Sequence, residues 1–290
     1  MQTPAPVDYA RATSVDHALQ LMEERGPEAR LIAGGHSLLP MMRLRIARPD
    51  CVIDINDLTE LDYIRVEDGE LRIGAMTRHA TVLASPVVGE HYAIFHDAER
   101  RIADPPVRNR GTVGGSFCQG DPAEDLAAVG SALKASLVLR SSRGTRTVAA
   151  RAFHTGPYET ALGDAEMLTE VRVPIRPGAS SAYEKVKRRA GDWAIAGAGA
   201  YVVLQDGVVG DVGIGLTAVG APHFCAEPAE ASLMGKTPTE ENLRQAAQLA
   251  ADACSPHADQ RGPVEYKRHL AGELVLRVLR RSIERAEGRA

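Results

Sequence analysis

The sequence predicts an α+β fold in two parts, and three observations carry that reading. Short apolar runs alternate with amphipathic segments through the first part of the chain, the pattern of strands interleaved with helices. The run Arg176-Pro177-Gly178-Ala179-Ser180-Ser181 reads as a linker and places a boundary near residue 177. Beyond it, two apolar runs flank Gln205-Asp206-Gly207, a hairpin signal because glycine accepts positive φ, and helical patterns follow.

In chain order, Thr13 or Ser14 can cap a first helix. Its apolar stripe is Val15, Ala18, Leu19 and Met22, and Gly26-Pro27 stops it. Leu31-Ile32-Ala33 reads as a short buried strand, Cys51 to Ile55 as a second and Leu71 to Gly74 as a third. Thr77 to Leu83 is a short helix. His91 to Ala103 has helical spacing through Ile94, Phe95, Ala98 and Ile102, and Asp104-Pro105-Pro106 ends it. Asp121-Pro122 opens a helix with Asp121 as its cap, and Asp125 to Leu133 is helical. Ser136 to Leu139 and Thr145 to Val148 are strands. Leu168 to Val173 alternates apolar and polar residues, as a half-buried strand does. After the linker come the hairpin arms Tyr201 to Leu204 and Val208 to Val219. Helices follow over Pro228 to Met234, Glu240 to Ala253 and Tyr266 to Arg285. The last carries Leu270, Leu274 and Val278 on one side and Arg277, Arg280 and Arg281 on the other.

Composition excludes several classes. Hydrophobic residues make up 44% of the 290 and charged residues 25%, an ordinary globular balance. Lys and Arg total 34 against 38 for Asp and Glu, so nucleic acid is a poor partner. The N-terminus has neither a cationic start nor an apolar run, and no segment reaches the length of a membrane span, which makes the cytoplasm the expected location. Cys51, Cys118, Cys225 and Cys254 form no closely spaced pair, and no HExxH or EF-hand pattern occurs. No metal site is expected, and redox chemistry would need a bound organic cofactor.

Two segments concentrate unusual backbone chemistry. The first is Ala33-Gly34-Gly35-His36-Ser37-Leu38-Leu39-Pro40; the second is Arg110-Gly111-Thr112-Val113-Gly114-Gly115-Ser116, followed by Gly120-Asp121-Pro122 and Glu124-Asp125. Glycine pairs permit positive φ and leave main-chain N–H groups uncovered, the ingredients of a phosphate-binding nest. Ser37, Thr112 and Ser116 add hydroxyl donors. Tight turns use glycine pairs too, but two hydroxyl-flanked pairs could converge on the two phosphates of a dinucleotide. Two decoys fail. Gly235-Lys236-Thr237 ends like a P-loop, yet Glu230 stands where that motif needs glycine. Gly213-Ile214-Gly215-Leu216-Thr217-Ala218 fits GxGxxA but continues β-like instead of opening a helix.

AGGHSLLPMMRLRIARP (Ala33 to Pro49) and TVGGSFCQGDPAEDL (Thr112 to Leu126) resemble the two flavin-binding segments of the FAD-binding medium subunits of molybdenum hydroxylases, nearest the carbon monoxide dehydrogenase type. Gly156 to Leu162, Gly191-Asp192-Trp193-Ala194 and Tyr266 to Leu270 agree as well, so the resemblance spans the chain in order. It implies an FAD domain of the vanillyl-alcohol-oxidase type over residues 1–177, built from α+β subdomains at about 1–56 and 57–177, and a domain over 178–290 with a small antiparallel sheet.

The resemblance also implies the site. Ala33, Gly34, Gly35, His36, Ser37 and Leu38 match the first pyrophosphate loop, and Thr112, Gly114, Gly115 and Ser116 the second. Asp125 matches an acidic contact to the ribose region, Leu168 an apolar contact near the ring system, Lys185 a cation near the isoalloxazine and Trp193 an aromatic beside the flavin. Lys187 to Arg189 read as a solvated basic face, and Cys118 as a packing residue. No residue is assigned to catalysis. The implied cofactor is noncovalent FAD. The implied partners are a molybdopterin subunit and a small subunit with [2Fe–2S] clusters, assembled as a dimer of heterotrimers. Electrons would pass from molybdenum through the clusters to FAD and on to an external acceptor such as a quinone, with peripheral membrane association at the inner face. Three other readings stay open at this point: a medium subunit of a related hydroxylase acting on an aldehyde or N-heterocycle, a self-sufficient FAD oxidase, and a non-redox nucleotide-binding module.

Overall fold

The computed structural model describes residues 3–289. The chain begins with a three-stranded parallel sheet in which β3 (Cys51–Asp54) lies between β1 (Asp8–Arg11) and β2 (Ala29–Ile32). Helix α1 (Val15–Arg25) is set by its ends: Ser14 Oγ accepts from the His17 amide at 3.1 Å, and Gly26 leaves the helix at φ 75°. Val15, Ala18, Leu19 and Leu21 are buried, while Met22 packs at the edge of that cluster. Strand β1 carries no apolar alternation and lies on the sheet edge, so periodicity misses it. Strand β2 starts two residues earlier than expected and is only partly buried. Between β2 and β3 runs the first glycine segment, followed by helix α2 (Leu38–Arg43).

A five-stranded antiparallel sheet follows, ordered β4 (Ile64–Glu67), β5 (Glu70–Gly74), β10 (Met167–Pro174), β6 (Ser136–Ser141) and β7 (Gly144–Ala149). Asp68 and Gly69, at φ 51° and 74°, make the tight turn between β4 and β5. β10 is the central strand. Met167 to Val171 are all buried, so the expected half-buried strand is instead covered on both faces. Helices α3 (His79–Ala84), α4 (Pro86–His91), α5 (Ala93–Glu99), α6 (Pro105–Arg108), α7 (Val113–Gln119) and α8 (Asp125–Ala132) lie between β5 and β6. The single helix expected over His91 to Ala103 is broken at Tyr92, whose backbone is extended and whose hydroxyl donates to the Pro174 carbonyl at 2.6 Å. Asp104 does not merely end a helix: its side chain accepts from the Val107 amide and caps α6. After β7 come α9 (Ala150–Phe153) and the small pair β8 (His154–Gly156) and β9 (Glu159–Thr160).

The last sheet is antiparallel, ordered β11 (Ala179–Val186), β12 (Ala196–Gln205) and β13 (Val208–Thr217). Ala179, Ser180 and Ser181, expected in the linker, open β11 because they pair with Val203, Val202 and Tyr201. The hairpin stands as expected: Asp206 and Gly207 both have positive φ. One face of this sheet meets α5 and α8; the other meets α12 (Val264–Ala286), which packs with α10 (Glu227–Leu233) and α11 (Glu240–Asp252). The GxGxxA decoy has a structural reason. A Cβ on Gly213 or Gly215 would collide with the carbonyl oxygens of Ala132 and Ala128, so these glycines let α8 lie directly on β13.

Candidate cofactor-binding site

A cleft of about 1300 Å³ opens where the three sheet units meet. Its first wall is the turn after β2. Gly35 sits at φ 75°, and among the described residues the amides of Gly34, Gly35, His36 and Ser37 donate to no group of the chain. Four successive unfilled donors beside a cleft form an anion cradle. Two polar side chains that sequence reasoning missed hold it. Asn56 Nδ2 donates to the Ala33 carbonyl and to Asp54 Oδ1, both at 2.7 Å. Arg78 Nη2 donates to Asn56 Oδ1 at 2.9 Å, and its Nη1 to the Arg110 carbonyl. A Cβ on Gly34 would strike that same carbonyl and come within 2.7 Å of Gly111 Cα. The two glycine segments therefore lie backbone against backbone, as the convergence argument requires.

The second segment works differently from the first. Thr112 is the N-cap of α7, with Oγ1 accepting from the Gly115 amide at 3.0 Å. The Gly114 amide is taken by the Ala75 carbonyl and the Ser116 amide by the Thr112 carbonyl. The expected bare amides are thus engaged internally, which corrects the reading of this segment as an open nest. Its glycines serve approach instead: a Cβ on Gly114 would lie 2.7 Å from Ala75 Cβ. Gly115 has only Thr112 Oγ1 near its vacant Cβ position and borders the cleft. Ser116 Oγ donates to Glu124 at 2.6 Å, a partner not foreseen. Asp121 is not a helix cap. Its Oδ1 accepts from the Ala123 amide and its Oδ2 from the Tyr158 hydroxyl, while α8 begins four residues later.

The remaining expected residues gather at the same cleft. Asp125 is buried; its Oδ2 lies 2.7 Å from Lys185 Nζ and its Oδ1 2.5 Å from the Tyr183 hydroxyl. Tyr183 was missed, though Gly197 is shaped around it: a Cβ there would lie 2.5 Å from the phenol oxygen. Burial, with Asp125 beside it, raises the Tyr183 pKa well above the usual phenol range, so the hydroxyl stays a donor. Leu168 is buried and lines the cleft, and His36 and Leu38 line its rim. Trp193 is 41% exposed at the mouth, its amide held by Asp192 Oδ1 at 2.9 Å. Arg188 and Arg189 are exposed as expected, but Lys187 is half-buried and donates to the Arg101 carbonyl. Deeper in, His79 Nδ1 lies 3.0 Å from Glu99. Burial pushes His79 down, and the Glu99 carboxylate more than offsets this, holding it above the usual imidazole range.

Cys118 also lines the cleft, with burial pushing its thiol up to about 12. A thiol so held is a poor nucleophile. Among the described residues no group of three or more His, Cys, Asp or Glu side chains is placed to hold a metal ion, and no helix is long and apolar enough to cross a membrane.

Comparison with known proteins bears on this geometry. Residues 5–176 match the FAD binding domain in molybdopterin dehydrogenase, and residues 181–282 match the CO dehydrogenase flavoprotein C-terminal domain. The chain is 42% identical to the carbon monoxide dehydrogenase medium chain of Hydrogenophaga pseudoflava, over 95% of this chain and 96% of that one. It is 38% identical to the medium chain from Afipia carboxidovorans over 99% of each. A solved structure of the Hydrogenophaga pseudoflava carbon monoxide dehydrogenase, lacking the Mo-pyranopterin moiety, superposes with a TM-score of 0.95 at 43% identity. That match covers 98% of this chain and 99% of that one. With its whole length matched and its glycine segments joined at one cleft, the chain belongs to the family of FAD-binding medium subunits of the molybdenum hydroxylases, and is an oxidoreductase subunit.

Proposed function

We propose that this chain is the flavoprotein subunit of an aerobic carbon monoxide dehydrogenase, holding FAD without a covalent link in the cleft between its sheet units. The observation that carries the site is the run of four free amides, Gly34 to Ser37, beside a cleft that residues of the second glycine segment help to line. The residues present fit the cofactor. Free amides suit the pyrophosphate, Gly115 borders the cleft without a side chain, and Leu168 and Trp193 supply apolar surface for a ring system. FAD, when bound, supplies a group that accepts electrons singly and gives them up as a pair.

The chain's own residues position that group. The amides of Gly34 to Ser37 bind the pyrophosphate, with Ala33, His36 and Leu38 shaping the turn around it. Thr112 fixes the start of α7 so that Gly114, Gly115 and Ser116 face the cofactor. Lys185 and Tyr183 hold the Asp125 carboxylate in one orientation for the ribose region, and Leu168 excludes water. The functional division falls near residue 177, with Lys185 and Trp193 reaching the cleft from the second part. In the complex, a molybdopterin subunit oxidises substrate and a small [2Fe–2S] subunit relays electrons to this chain. They leave to an external acceptor such as a quinone, at the cytoplasmic face of the membrane.

The test is anaerobic mixing of the full chain with reductants, followed by flavin absorbance. A chemical reductant should bleach the flavin of the isolated chain, whereas carbon monoxide should leave it yellow until the iron–sulfur and molybdenum subunits are added. Bleaching of the isolated chain by carbon monoxide at a catalytic rate would replace the subunit reading with a self-sufficient oxidase.

A further inference from the structure

Glu124 is a buried acid that none of the roles above uses. It stands at the N-cap position of α8 and lines the cleft, 8% exposed, and among the described residues its side chain has one hydrogen bond, from Ser116 Oγ at 2.6 Å. Among the described residues no Lys, Arg or His pairs with it, although Lys185, with Tyr183, is committed to the adjacent Asp125. A buried carboxylate without a cation is costly and takes up a proton instead. The acidic groups around it push the same way. Asp121 and Asp125 flank it on its own segment, and both disfavour a further negative charge. His79 on α3 opposes them but is already paired with Glu99 on α5. Tyr158 and Tyr183 face it as neutral phenols. Burial dominates and carries its pKa up to about 8, against an ordinary carboxyl value near 4.

We propose that Glu124 is an additional cofactor-binding residue that works as a neutral carboxylic acid, so that FAD binds only to the chain in which this carboxyl holds its proton. The inference rests on the reading of the cleft as the FAD site. It follows from charge and geometry: the carboxyl lines the same cleft as the free amides, and as a carboxylate it would be an unpaired negative charge in the cleft that takes the anionic pyrophosphate. In its acid form it accepts from Ser116 through one oxygen and has an O–H to donate into the cleft. The proton comes from solvent when FAD binds to chains that have lost it.

The sign of the pH dependence is fixed. Affinity is full below the pKa of the free chain and falls as pH rises through it, approaching tenfold per unit. Flavin-free full chain is titrated with FAD between pH 6.5 and 9.0, and the same titration is repeated on Glu124→Gln. Wild-type affinity should weaken by about tenfold across that range, while the neutral amide variant should stay flat. Calorimetry of the wild type in two buffers of different ionisation enthalpy should count close to one proton taken up per FAD at pH 9.0 and almost none at pH 6.5. That measurement keeps the proposal open to refutation even if the variant does not fold. A flat wild-type profile, no proton uptake, or a decline that persists in Glu124→Gln (assigning it to His79 instead) would each overturn the proposal. Failure of the chain to take up FAD at any pH would overturn the reading of the cleft itself.

Discussion

At the scale of single residues, the two glycine pairs look alike in sequence and do different work. Gly35 needs its freedom for a positive φ, and its neighbours' amides stay unfilled. Gly114 needs the absence of a side chain to lie on Ala75, and its amide is consumed. A glycine pair announces that backbone is close to something; whether that something is a ligand or another part of the chain depends on partners far away in sequence. Replacing Gly35 by Asp should expel FAD. The new residue is strained at φ 75°, its Cβ would crowd the Leu39 and Ile32 side chains, and it brings a carboxylate to the turn meant for phosphate. Two unit charges about 4 Å apart at an effective dielectric near 20 repel by about 4 kcal/mol, equivalent to nearly three decades in affinity. Titration of the flavin-free variant with FAD checks this; wild-type affinity would mean the segment is only a turn.

Among the elements, those with strong local signals were legible and those fixed by pairing were not. Ser14 and Gly26 delimit α1, and Asp206-Gly207 makes the hairpin, each through chemistry contained within a few residues. Asp68-Gly69 carries the same hairpin dipeptide, yet β4 is short and exposed and its apolar pattern is weak. β1 exists because β3 offers it an edge, which no local pattern reports. The same limit hid the brace of the site. Asn56 and Arg78 are 22 residues apart and look like ordinary loop polars, but together they join the first glycine segment to the Arg110 carbonyl beside the second. Asn56→Ala removes the hydrogen bonds at the centre of that brace and leaves the half-buried Arg78 short of a partner. The loss of such buried bonds is of the order of 1–3 kcal/mol. FAD affinity should therefore fall by about tenfold or more while the far-ultraviolet circular dichroism is unchanged. Unaltered affinity would show that each glycine segment holds its shape alone.

For the whole molecule, the cleft draws residues from all three sheet units: Gly35 after β2, Leu168 on the central strand of the second sheet, and Lys185 on β11. A ligand that bridges three hydrophobic cores binds only when all three are folded and docked, so its binding energy opposes any unfolding that separates them. That energy is reversible here, because Cys118, the thiol in the cleft, is held protonated by burial and has no reason to join the ring. Two linked outcomes follow. Acid or heat denaturation should release all of the flavin as free FAD, with none retained on the polypeptide. FAD added back to the flavin-free chain at a hundredfold excess over Kd should contribute about 2.7 kcal/mol. For a chain of this size, that raises the melting midpoint by roughly 4–5 °C. A single calorimetric transition shifted as a whole is the expected record. If FAD shifted only one of two resolved transitions, the cofactor would be held within one unit, and the contribution of Lys185 and Trp193 from beyond residue 177 would have to be abandoned.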